Sequence, residues 1–188
     1  MKKLLYAILA FFALCLMLAA CSDNAKDIWD TYEGWRNDNN AWLAEQEAAI
    51  DPATGKPLYQ KVVAPWNPDG YILIRYINDR AETEGNLSPL YTSLVDVRYK
   101  GNLYTGAGFD SSDLKTQNGP GIFRTTLSGV IDGWTLALSE MRVGDTAQVI
   151  IPYNMGYGAS GTSGAILPYS NLRFGIRLVD IVNYETRP

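Results

Sequence analysis

The segment Tyr71-Ile72-Leu73-Ile74-Arg75-Tyr76-Ile77 is apolar at every position but Arg75. A strand wetted on one face alternates apolar with polar residues. One without alternation is covered on both faces or emerges from the core, and either places this run at the centre of the fold. Pro65-Trp66-Asn67-Pro68-Asp69-Gly70 precedes it with turn chemistry, and Leu58 to Val63 is β-rich, so a hairpin is expected from 58 to 77. Asp79 to Ser88 reads as a polar loop. Further strands are expected at Val95 to Tyr99, Thr146 to Ile151 and Asn171 to Ile181, with a turn-rich loop up to Gly121, a short helix from Gly133 to Met141 and a glycine-rich loop before the last strand. Twelve tyrosines, five tryptophans, 17 glycines and nine prolines favour such a turn-rich, stranded domain over a helix bundle.

Ahead of the hairpin, Asp27 to Ile50 has helical spacing, with Ile28, Tyr32, Trp35, Trp42 and Ala49 on one stripe that Asn39 and Gln46 interrupt. An aromatic stripe of this kind is a docking face, on the helix's own domain or on a second copy. Asp51-Pro52 and Gly55-Lys56-Pro57 end the helix.

Residues 1–20 read as an address. Lys2-Lys3 precedes an apolar run from Leu4 to Ala20, and Leu18-Ala19-Ala20-Cys21 matches the lipobox of bacterial lipoproteins, whose cysteine receives the lipid. The run is short for a membrane span and stops at a cysteine, which sets the transmembrane reading aside. Ser22 favours sorting to the outer membrane. With the polar residues after it, Ser22-Asp23 resembles the surface-export signals of Bacteroides-type lipoproteins, and a plain polar tether has the same appearance.

Cleavage before Cys21 leaves 14 basic and 20 acidic residues, a net charge of −6, which excludes nucleic acid as a partner. Cys15 departs with the signal and Cys21 is acylated, so no thiol remains for a disulfide, a metal or a nucleophile. The chain has no histidine, which excludes Ser-His-Asp catalysis and most zinc sites. No metal and no cofactor is expected. The chemistry must proceed without a strong base.

Three blocks then follow in order. The first is Val97-Arg98-Tyr99-Lys100-Gly101-Asn102-Leu103, continuing through Gly106 to Phe109-Asp110-Ser111-Ser112. The second is Val130-Ile131-Asp132-Gly133-Trp134, with Leu138, Met141 and Val143-Gly144-Asp145 after it. The third is Ile151-Pro152, Gly156-Tyr157-Gly158, Gly161, Gly164, Ile166, Pro168 and Leu172-Arg173-Phe174. Together they resemble the FKBP-type peptidyl-prolyl cis-trans isomerases, over residues 95–181. The resemblance implies an α+β fold in which a twisted antiparallel sheet wraps around one short helix, here with an N-terminal helical extension. Together with the address at the N-terminus and the helical segment after it, this divides the chain into a signal (1–20), a tether and helix (21–57) and the FKBP-like domain (58–188).

The same resemblance implies a pocket floored by Trp134 and walled by Tyr99, Phe109, Val130, Ile131, Tyr157, Ile166 and Phe174, with Asp110 at its edge. Proline would rest on Trp134, while the Ile131 N–H and the Tyr157 hydroxyl hold substrate carbonyls. Asp110 is either a turn-capping carboxylate or part of the machinery. Between Ser112 and Val130 the correspondence lapses, so Phe123 is either a pocket aromatic or displaced by an insertion. Thr162 stands where the eukaryotic archetype has histidine, and Leu167 replaces a proline of its loop. The implied partners are proline-containing polypeptides, a macrolide ligand, and the membrane through the lipid on Cys21. Two other functions use the same residues: a pocket that grips proline without turnover, and an envelope interaction module built on this scaffold.

Overall fold

The computed structural model describes residues 28–182; the signal, Cys21 and Ser22 lie outside them. The chain divides into two compact units, up to Gly34 and from Trp35 onward. The second carries the whole sheet. In chain order the elements are α1 (Glu33–Ala48), β1 (Gln60–Ala64), β2 (Asn67–Tyr76), β3 (Leu94–Leu103), β4 (Gly108–Ser111), β5 (Phe123–Thr126), α2 (Asp132–Glu140), β6 (Thr146–Ile151) and β7 (Leu172–Ile181). Short 3-10 turns follow β5 at Leu127–Gly129 and β6 at Tyr153–Met155.

The strands form one sheet in the order β1-β2-β6-β7-β3-β4, with β5 also on β3, and every pairing is antiparallel. The long β3 pairs with β7 from Val95 to Leu103 on one side. On its other side it takes β5 at Leu94–Val97 and β4 at Lys100–Asn102. The hairpin turn is tighter than the sequence suggests: Ala64 faces Asn67, leaving Pro65-Trp66 as the turn and Asn67 to Gly70 inside β2. Pro68 is accommodated because the register shifts there and no ladder bond requires its missing N–H.

The unalternating run in β2 has two covers. Ile72 and Ile74 enter the main core with Trp134, Leu136 and Leu138 of α2. Leu73 points the other way, joining Tyr59 and Ile150 in a second cluster against which Trp42 and Leu43 of α1 pack. The helix therefore docks on its own domain. Within it, Asn39 corrects the sequence reading: rather than interrupting the docking stripe, it is fully buried. Its Oδ1 accepts the Asn171 N–H at 2.8 Å and its carbonyl accepts Asn171 Nδ2 at 2.7 Å, and a polar side chain so matched is tolerated in the interior.

Two further features set the frame around α2. Gly133 lies so close to the Ile151 side chain that no Cβ fits, which lets the first turn of α2 approach β6. At its far end the buried Asp145 accepts from Thr83 Oγ1 (2.6 Å), the Arg142 N–H (2.8 Å) and Asn78 Nδ2 (3.2 Å), and pairs with Arg80 (3.2 Å). Burial by itself would raise the carboxyl pKa, but these donors together hold it below the usual aspartate value. They tie the loop at 78–86 to the β6 end of the sheet.

Candidate active site

The site is built on the ends of four strands and the start of α2. Tyr99 projects from β3, Phe109 and Asp110 from β4, Phe123 from β5 and Phe174 from β7, while Val130 and Ile131 lead into α2 and Trp134 lies in its first turn. Thr135 Oγ1 donates to the Leu127 carbonyl at 2.7 Å, fixing the turn that presents Val130 and Ile131. The Tyr99 N–H donates to the buried Ser112 Oγ at 3.0 Å, closing β3 onto the end of β4.

These residues enclose a cavity of about 380 Å³, lined by Tyr99, Phe109, Asp110, Phe123, Gly129, Val130, Ile131, Trp134, Tyr157 and Phe174. That is within the usual range for small-ligand sites, at its small end. Trp134, 4% exposed, meets Tyr99 edge-on at 5.0 Å between centroids, Phe174 at 5.3 Å and Phe123 at 6.3 Å. Phe109 meets Phe174 at 5.4 Å and 89°. Edge-to-face contacts brace the rings against one another, so the walls hold their shape without a ligand. Gly101 permits this packing: a Cβ there would lie 2.6 Å from Phe109 and 2.7 Å from Phe174.

Polar groups are few. The Tyr99 hydroxyl donates to Asp110 Oδ2 at 2.5 Å. Burial first, and then this bond to a carboxylate, push its pKa well above the ordinary tyrosine value. Tyr157 is 39% exposed; burial and then the charge of Asp110 raise its pKa as well. Both hydroxyls therefore keep their protons at neutral pH. Among the described residues the Tyr157 hydroxyl has no hydrogen-bond partner, and neither has the Ile131 N–H. Ile131 is the N-cap of α2 and carries no capping side chain, so the helix start is open toward a ligand. No three His, Cys, Asp or Glu side chains among the described residues are arranged to hold a metal ion.

Of the residues expected from the sequence, Tyr99, Phe109, Asp110, Val130, Ile131, Trp134, Tyr157 and Phe174 line the cavity together. Ile166 does not. Its side chain is 5% exposed and packs in the main core, because its loop folds back through a Thr162 N–H to Ile166 carbonyl bond of 2.8 Å. Of the two alternatives for Phe123 the structure takes the pocket one, and Gly129 lines the cavity without any sequence expectation. The Phe123 signal was available: Phe123-Arg124-Thr125-Thr126 is β-prone and follows a Gly-Pro-Gly turn.

An antiparallel sheet packed on one short helix, with an aromatic cavity floored by the helix's tryptophan and few polar groups in its lining, defines a class of protein that acts on its ligand by shape and apolarity. Comparison with known proteins gives the family. Residues 86–179 match the model of the FKBP-type peptidyl-prolyl cis-trans isomerases, and the chain belongs to that family. It is 39% identical over 114 residues to the macrophage infectivity potentiator of Trypanosoma cruzi, covering 61% of this chain and 54% of that protein. It is 32% identical over 126 residues to the FKBP-type 22 kDa peptidyl-prolyl cis-trans isomerase of Escherichia coli K12, covering 58% of this chain and 59% of that one. The matches thus span little more than half the length of these relatives. A crystal structure of a peptidyl-prolyl cis-trans isomerase from Pseudomonas syringae pv. tomato aligns with a TM-score of 0.61 at 28% identity, covering 80% of this chain and 95% of that one.

Proposed function

We propose that this protein catalyses cis-trans isomerisation of X-Pro bonds in polypeptides folding outside the cytoplasm. The single observation that carries the reading is the cavity floored by Trp134 beside two donors without partners among the described residues, the Ile131 N–H and the Tyr157 hydroxyl. Rotation about the bond breaks amide conjugation, with a barrier of about 18–20 kcal/mol, and unaided takes tens to hundreds of seconds. In the twisted state the nitrogen no longer shares its lone pair and the dipole shrinks. A ring-lined cavity therefore favours the twisted amide over the planar one. With the proline ring on Trp134, the two donors hold carbonyls on either side of the rotating bond and leave the bond itself free to turn. No proton moves, which suits a chain without histidine. Asp110 takes a positioning role, because its carboxylate already engages Tyr99, one of the rings against Trp134.

The site of action follows from residues outside the described ones. Leu18-Ala19-Ala20-Cys21 after an apolar run supports a lipid on Cys21, and Ser22 supports the outer membrane. A macrolide entering the same cavity would compete with proline peptides. The soluble fragment from Ser22 is expected to accelerate isomerisation of an Ala-X-Pro peptide in a protease-coupled assay. Folded protein that binds the peptide without turnover would leave the binding-module function instead. Cys21→Ser should abolish incorporation of labelled fatty acid; a labelled variant would remove the tether from the account.

A further inference from the structure

Building on the isomerase reading, we propose that α1 is a positioning element for the cavity, with Asn39 and Trp35 setting the placement of Tyr157 from behind. Tyr157 sits on the loop between β6 and β7. Both ends of that loop converge on one residue, Asn171, whose Oδ1 accepts the Tyr153 N–H at 2.8 Å while its own N–H and Nδ2 donate to Asn39. Asn39 is held in turn by donation from its Nδ2 to the Trp35 carbonyl at 2.8 Å. Trp35 Nε1 donates to Ser170 Oγ at 3.1 Å, and Ser170 Oγ donates to the Leu167 carbonyl at 2.7 Å.

Between these anchors stands Tyr169, the only non-glycine residue with positive φ (61°) among the described residues. A tyrosine adopts this conformation only where its surroundings enforce it. Its N–H donates to the carbonyl of Gly158, the residue next to Tyr157, at 3.0 Å. The strained residue thus links the helix contact to the cavity residue. The same helix also braces the opposite wall. The Trp35 ring meets Tyr104 edge-on at 4.9 Å and Tyr104 donates to Asp38 at 3.1 Å, in the turn that leads into Phe109 and Asp110 on β4. A buried asparagine in a docking stripe stabilises less simply than an apolar residue, so its presence calls for a geometric role.

The test compares Asn39→Ala with Leu43→Ala, which weakens the same helix at the second cluster, away from the loop. At a temperature where both are folded, Asn39→Ala should lose about tenfold in kcat/KM, mostly through KM, while Leu43→Ala lowers Tm and keeps wild-type kinetics. Amide exchange at Gly158 and Tyr169 should accelerate in Asn39→Ala and not in Leu43→Ala. Should Asn39→Ala fail to fold, Trp35→Phe keeps an aromatic ring at that position while deleting the bond to Ser170 and part of the indole's packing on the core, with KM expected to rise about threefold. Two substitutions that lower Tm alike and leave kinetics within about twofold would overturn the proposal. Were the wild type itself inert, exchange at Gly158 and Tyr169 would still decide it, separately from the isomerase reading.

Discussion

Two aromatic junctions of this molecule handle their polar groups in opposite ways. Where α1 meets the β6–β7 loop, Trp35, Asn39, Ser170 and Asn171 satisfy one another, leaving no buried side-chain donor or acceptor among them without a partner. In the cavity, rings brace rings, and the Ile131 N–H and Tyr157 hydroxyl stay without partners among the described residues. An unmatched donor is costly in a core but useful at a half-open site, where a ligand completes it. The contrast separates residues that hold the fold from residues available to a substrate.

Breaking the closed junction should have the largest effect. Asn171→Ala removes the acceptor of the Tyr153 N–H and one donor to Asn39, and is expected to cost about 3–4 kcal/mol in urea unfolding. Asp145→Asn probes the buried carboxylate network at the other end of α2, where among the described residues Arg80 Nε alone stays without a partner, and should cost about 3 kcal/mol at neutral pH. Because the folded carboxyl pKa is lowered, its contribution is complete above the unfolded value of about 3.9 and is lost as pH falls through the folded value. The variant's stability should accordingly vary less below about pH 4 than that of the wild type. Tyr157→Phe sharpens the comparison from the open side: kcat/KM should fall about tenfold, equivalent to about 1.4 kcal/mol, with Tm unchanged. The smallest effect is expected from pH. With no histidine in the chain and both cavity tyrosines raised above their usual value, kcat/KM should vary by less than about twofold between about pH 6 and 9.

The cavity was more legible in the sequence than the closed junction. Tyr99, Phe109, Trp134, Tyr157 and Phe174 stand in three blocks whose order and spacing mark a family, and β6 and α2 carry strong local patterns. The strands beside the cavity were harder to read. β4 and β5 are four residues each and nowhere fully buried, so neither shows the apolar rhythm of a core strand. β3 continues past Tyr99 through Lys100-Gly101-Asn102, which resembles a turn; Gly101 is there because two phenyl rings close over it. Asn39 was misread because hydrophobic periodicity has no term for a polar side chain whose partners lie more than a hundred residues away. Ile166 followed the family pattern in sequence, yet the fold of its own loop turns it into the core.

The central claim is most directly tested by exchange spectroscopy on a proline peptide with resolved cis and trans resonances. Catalytic amounts of the soluble chain should bring interconversion from the tens-of-seconds range to within the mixing time, and Tyr157→Phe should slow it. Cis and trans signals that exchange no faster with stoichiometric, folded protein than in buffer would contradict the account.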